Sequence, residues 1–198
     1  MTFILLFLLA IGTLFSSGGT IGSFTGSNPP SVKTINYRIP LQKLSDSLKV
    51  YRWNTRILVD KSEYQLKVMK DTVVIKSYPV VLGPNPVADK LRKGDGCTPE
   101  GCFRIKTFYP HRKWSRFIWF DYPNEESYRK HNLAKEKGLI PQRCDIGGEL
   151  GIHGVPPGQD YLIDQGQNWT LGCVSMKNRD VAELYDFVFE GMVVEIVK

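Results

Sequence analysis

The sequence predicts a β-rich α+β fold: one sandwich- or barrel-like domain carrying a surface helix and a C-terminal helix. Three observations lead there. Short apolar runs, several alternating with polar residues and separated by polar turns, occupy residues 56–120. Helical spacing with terminal signals marks two segments downstream of them, 124–137 and 181–191. The chain has 198 residues, 42% of them hydrophobic and 23% charged, enough for one cored domain, or one domain and a tail. That composition excludes disorder as the main state. A multi-span membrane protein is excluded too, because only one long apolar run exists. The formal charge of +6 is a mild basicity that favours an anionic polymer or surface without specifying nucleic acid.

The apolar run is Phe3–Phe15, FILLFLLAIGTLF. At 13 residues it is shorter than the roughly 20 a spanning helix needs and fits a signal-peptide core. Ser16 and Gly18 supply small residues for cleavage, although no Lys or Arg precedes the run, and no Cys follows it to take a lipid anchor. Residues 1–19 therefore read as a signal peptide or N-terminal apolar segment; an uncleaved anchor and a buried first helix are the alternatives. The expectation is export to the periplasm or cell envelope, with no membrane span left after signal removal. Residues 20–50 read as a linker rich in Gly, Ser, Thr, Asn and Pro, ending in a short helix marked by Leu41, Leu44 and Leu48.

The main domain is expected over 51–198. Ile57–Val59, the alternating Tyr64, Leu66 and Val68, and Val73–Val81 read as a β-meander turning at Lys61-Ser62 and Lys70-Asp71. Phe103 with Ile105, and Phe117–Phe120, add two strands. Asn124 caps the expected surface helix, with Glu125 and Glu126 in its first turn, Lys135 and Lys137 in its last, and Gly138 after it. Val181, Leu184, Tyr185 and Val188 give the C-terminal helix its apolar stripe and Gly191 closes it; Met192–Val197 is the final strand. No internal repeat is present.

Chemistry concentrates in Gly151-Ile152-His153-Gly154 and Thr170-Leu171-Gly172-Cys173-Val174-Ser175-Met176. A thiol nucleophile needs a base beside it and donors for the oxyanion. Cys173 follows a glycine that allows close approach of a substrate carbonyl, and the loop-like residues between the segments let two strand ends return side by side. An imidazole there would lower the thiol pKa and hold an ion pair, and the amides of Gly172 and Cys173 would form the oxyanion hole. Thr170, Ser175 and Trp169 join Gly172 as candidate substrate or oxyanion residues, Trp169 as a cleft wall. The bland alternative is a core thiol and a hydrogen-bonded histidine.

These residues resemble the signature of the L,D-transpeptidase catalytic domain (YkuD-type), in which a histidine-glycine pair precedes a Ser/Thr-x-Gly-Cys motif. Gly94-Asp95-Gly96-Cys97-Thr98-Pro99-Glu100-Gly101-Cys102-Phe103 resembles that family's Gly-Asp…Thr-Pro-x-Gly-x-Phe/Tyr stretch, in the family's order. The resemblance covers roughly 56–198. It implies a catalytic Cys173, a general base His153 and a Gly154 carbonyl that orients the imidazole. It also implies acyl transfer on peptidoglycan stem peptides through a thioester, with no metal or organic cofactor. Leu171 stands where many members have His, and Ser175 where many have Arg. This variant resembles a YafK-like branch that includes crosslink hydrolases. A hydrolase on the same scaffold and a non-catalytic wall-binding module are the rival readings, and a monomer is the expected state.

Other side chains are expected to be structural. Cys97 and Cys102 flank a tight corner able to hold a disulfide, Cys144–Cys173 is a possible second bridge, and counting alone leaves the pairing open. Asp95 and Thr98 read as corner residues, His111 and His131 as solvated, and Arg112, Lys113 and Arg116 as a solvated basic loop. A zinc site from Cys97, Cys102, His111 and Cys144 lacks close ligand spacing. No Walker or dinucleotide glycine motif occurs.

Overall fold

The computed structural model describes residues 32–198. The apolar segment read at 1–19 and the first part of the linker lie outside the described residues. The meander forms as its alternation predicts: β1 (Arg56–Asp60), β2 (Gln65–Lys70) and β3 (Val73–Pro79) pair antiparallel. Ile57 lies opposite Val68 and Val59 opposite Leu66, so one pleat face is wholly buried. β4 (Gly101–His111) is long enough to serve two partners. Its first four residues pair with β8 (Val193–Val197), and from Ile105 onward it pairs with β5 (Ser115–Phe120). Its register breaks between Ile105 and Thr107, where the strand passes from one half of the sheet to the other.

The last strand is central. β8 runs parallel to β1 on one side and antiparallel to β4 on the other, burying Val194 and Ile196. Beyond β5 come β6 (Gly151–His153) and β7 (Val174–Ser175), giving the order β3-β2-β1-β8-β4-β5-β6-β7. The chain after β3 then returns to the far edge: Val81 and Ser175 exchange two backbone hydrogen bonds of 2.9 and 2.8 Å. That exchange joins the two ends of the order and curls the sheet around a single large core.

Helices close the ends. α1 (Leu41–Leu48) buries Leu41 and Leu44 in the main core, which accounts for their spacing in the sequence. α2 (Glu125–Glu136) starts where expected, the Asn124 carboxamide accepting the Ser127 amide at 3.0 Å. Its inner face is Ser127, His131 and Ala134. His131, expected to be solvated, is buried, with Nδ1 2.6 Å from the Leu91 carbonyl, and so ties α2 to the β3–β4 loop. A one-turn helix, α3 (Tyr161–Asp164), lies within a stretch read as loop. α4 (Asn178–Phe187) seats Val181 and Leu184 in the core. Its Glu183 carboxylate accepts from Lys76, the Tyr78 hydroxyl and the Leu41 amide, each at 2.7 Å. No helix among the described residues is long and apolar enough to cross a membrane.

Asn124→Ala removes the α2 cap and is expected to cost about 1 kcal/mol in denaturant unfolding. Alkylation of the distant Cys173 thiol should stay at the parent rate.

Candidate active site

Two short strands decide where the chemistry sits. β6 and β7 pair in parallel, Ile152 beside Val174 and His153 beside Ser175. Ile152 and Val174 point into the core, so His153 and Ser175 point the other way. One residue further back in the same register, Cys173 falls opposite Gly151. A strand spacing of about 4.8 Å and a two-residue offset of about 6.6 Å separate the Cα atoms of His153 and Cys173 by about 8 Å on one face. Gly151 is needed at this crossing: a Cβ there would meet the Phe117 ring at 2.9 Å and, closer still, the Ile118 carbonyl oxygen.

His153 is only 2% exposed, and its Nδ1 is 2.6 Å from the Gly154 carbonyl oxygen. That oxygen can only accept, so Nδ1 carries the proton and Nε2 keeps a free lone pair. The Gly154 amide in turn donates to the Trp114 carbonyl at 3.0 Å, and the Val155 amide to Asn178 Oδ1 at 3.1 Å. A Cβ on residue 154 would lie 2.7 Å from the Trp114 oxygen and closer to Asn178 Oδ1, so glycine is required. Asn178 is held by its own amide, which donates to Asp160 at 2.9 Å.

The half-buried Cys173 thiol sits 3.7 Å from the Glu149 carbonyl, its S–H acceptor, and receives the Gly151 N–H. Its turn is shaped by Thr170, whose hydroxyl donates to the Cys173 carbonyl at 2.7 Å and accepts the Gly172 amide at 3.2 Å. Gly172 has φ +133°, and a Cβ there would strike the Cys97 carbonyl oxygen at 2.6 Å. The 94–103 motif is therefore the wall against which the Cys173 turn packs. Asp95 organises that wall, accepting from Lys90 and from the amides of Leu91, Arg92 and Cys97. Burial alone would raise its pKa, but these donors outweigh burial and hold the carboxyl below its ordinary value.

The family model for the L,D-transpeptidase catalytic domain, YkuD, matches residues 54–196 and spans both motifs. The chain belongs to this family. Among solved structures, the helical cell shape determining protein Pgp2 from Campylobacter jejuni is 16% identical, with a TM-score of 0.53 over 80% of this chain and 55% of that one. Bdellovibrio bacteriovorus Bd1075 is 21% identical, with a TM-score of 0.50 over 73% of this chain and 48% of that one. An L,D-transpeptidase from Xylanimonas cellulosilytica is 17% identical over 73% of this chain and 60% of that one, with a TM-score of 0.49. The chain thus spans about half to three-fifths of these structures, and the likeness to the Campylobacter and Bdellovibrio proteins is one of fold. A search of curated proteins gave no match.

Within this YkuD domain the candidate residues divide. Cys173, His153 and Gly154 come together. Thr170 and Ser175 are both buried, Thr170 shaping the turn and Ser175 donating from Oγ to the Gly154 carbonyl at 3.3 Å. The Gly172 amide is taken by Thr170, which leaves the Cys173 amide as the other candidate oxyanion donor. Trp169 meets His153 edge-on at 5.4 Å and packs on Val81, Val155, Leu162 and Ile163, so it walls the imidazole. Leu171 is 83% exposed beside Cys173.

Three expectations are corrected. The four cysteines are all free thiols; Cys97 is buried and Cys102 exposed, so the corner holds no disulfide. His111 is half-buried and stacked rather than solvated, its ring 4.4 Å from that of Trp114. Burial also works against the expected resting ion pair. Burial pushes the Cys173 thiol up to about 11, against the Gly151 N–H, which favours the thiolate. Burial likewise pushes His153 down to about 4, against its bond to Gly154. Burial thus favours the neutral form of both groups near pH 7. Among the described residues no cluster of three or more His, Cys, Asp or Glu is placed to hold a metal.

Sequence reasoning passed over Trp114 and Asn178, whose only signals were an aromatic in a hairpin and a polar residue at a helix start.

Cys173 alkylation by iodoacetamide is expected to be slow at neutral pH and to climb steadily into the alkaline range as the thiol approaches its pKa near 11. A low, pH-independent component, carried by proton transfer to His153, should vanish in His153→Ala. Gly154→Ala should reduce that component at least tenfold by displacing the carbonyl that orients the imidazole, while circular dichroism shows the sheet retained.

Proposed function

We propose that the protein is a cysteine acyltransferase acting on peptidoglycan stem peptides, an L,D-transpeptidase with Cys173 as nucleophile and His153 as base. The observation that carries this reading is the diagonal placement of Cys173 and His153 across β6 and β7, with Nδ1 bonded to the Gly154 carbonyl and Nε2 free. Family membership over residues 54–196 supports it.

The neutral pair sets the order of events. The carbonyl carbon of the third stem residue approaches Sγ; the thiol proton passes to His153 Nε2 as the sulfur–carbon bond forms. The Gly154 oxygen, already bonded to Nδ1–H, stabilises the imidazolium, as an acidic residue does in other triads. The Cys173 amide lies next to the developing oxyanion. Imidazolium then gives its proton to the departing amine, the terminal D-amino acid leaves, and a thioester remains. An amine from a neighbouring stem, or water, adds to the thioester while His153 accepts a second proton, and the thiol is regenerated. No charged group needs to be stored in the buried site between turnovers. Action on peptidoglycan goes with export to the cell envelope, for which the apolar stretch at 3–15 is the supporting feature.

Incubation with tetrapeptide-stem fragments, followed by mass analysis, tests the reading. Crosslinked dimers together with a covalent acyl-enzyme are expected. Cys173→Ala should lose both products, with a rate decrease of at least about a thousandfold. Shortened monomers without dimers would assign the hydrolase, and an acyl adduct surviving in Cys173→Ala would overturn the nucleophile.

A further inference from the structure

The β4–β5 hairpin turns through Arg112, Lys113 and Trp114, with His111 paired to Ser115 and Ser115 in the left-handed region at φ 62°. Its tip is held back against the sheet. The Trp114 carbonyl accepts both the Arg116 amide at 2.6 Å and the Gly154 amide at 3.0 Å. Its indole lies over the His153 ring, centroids 4.6 Å apart and planes 25° from parallel. On the hairpin side the His111 ring stacks on the indole at 4.4 Å and 12°. The Lys113 amide donates to His111 Nδ1 at 3.2 Å, a bond that requires a lone pair on that nitrogen. Phe117, buried beneath, lies 6.0 Å from Trp114 and 5.9 Å from His153.

We propose that Trp114 is a positioning residue for the acyl-transfer site: its indole clamps the His153 ring, and its π-face stabilises the imidazolium formed when the thiol proton moves. The inference rests on the reading of Cys173 and His153 as nucleophile and base, and deepens it. Among the described residues the His153 ring has no carboxylate hydrogen-bond partner; its Nδ1 bonds to a carbonyl. Burial opposes charge on it at rest. A face-on indole supplies the compensating attraction only once the charge exists, which is the differential stabilisation that speeds a proton transfer. The proton leaves Sγ for Nε2 and returns later, so no other reactant is required. Trp114 acts through the imidazole and, through its carbonyl, on Gly154.

The test uses the intact protein and needs no stem peptide. Trp114→Leu is expected to lower the pH-independent alkylation of Cys173 by iodoacetamide roughly tenfold, and Trp114→Phe to restore most of the loss. Fluorinated tryptophans placed at position 114 keep the shape while draining the π-face, and the rate should fall with each added fluorine. Nitrogen NMR of His153 reads the clamp: the single Nδ1–H tautomer should give way to a mixture in Trp114→Leu. Parent-like alkylation in Trp114→Leu, or a rate indifferent to fluorination, would overturn the proposal. His153→Ala run alongside separates the two readings. A parent-like rate there removes the base itself, whereas a slowed His153→Ala beside unaffected Trp114 variants removes only the role of Trp114.

Discussion

The bond from His153 Nδ1–H to the Gly154 carbonyl is the constraint on which the site is built. It fixes the tautomer, leaves Nε2 free to act as base, and gives an emerging imidazolium its first partner. Much of the surrounding structure serves to keep that carbonyl in place. The Gly154 amide is tied to Trp114, Ser175 donates to the carbonyl itself, and Asn178 on α4 holds the next amide. α4 is anchored from below by Glu183 and its three donors, and the N-terminal segment reaches the same helix through Tyr37, whose hydroxyl donates to Asp180 at 2.7 Å. The requirement for glycine at 154 follows from this crowding rather than from backbone conformation.

Enclosure shapes reactivity as much as geometry does. A buried pair loses hydration in its charged form, and the nearby dipoles, one carbonyl for the imidazole and one amide for the sulfur, only partly replace it. Burial therefore favours thiol and imidazole at rest. Protonating His153 has a consequence for stability as well. Its folded pKa of about 4 lies below the ordinary 6.5, so the unfolded chain binds a proton first as pH falls. Stability drains between those values, by about 3 kcal/mol at most from this group.

What the sequence revealed and what it hid divide along a physical line. Local patterns were readable: the leucine spacing of α1, the Asn124 cap, the apolar stripe of α4 and the alternation of β1 and β2 each report on the element that carries them. The Cys173 and His153 motifs were readable because both lie beside glycines that the backbone crossing demands. Features set by distant chain segments were hidden. Nothing local to Val193–Val197 says that it slots between β1 and β4, and His131 reads as a surface residue until the β3–β4 loop covers it. Ser175 and Thr170 sit within the nucleophile motif, yet each spends its hydroxyl on the backbone. The charge preference of the pair is hidden as well, because it depends on burial by distant segments that no local pattern reports.

A thiolate absorbance titration, taken as the difference between the protein and its Cys173→Ala variant, tests the neutral pair most directly. The account requires no thiolate signal at neutral pH and its appearance only in strongly alkaline solution, near the value of about 11 that burial imposes. A full signal already present in mildly acidic solution, lost on replacing His153, would show a stored ion pair and contradict the account.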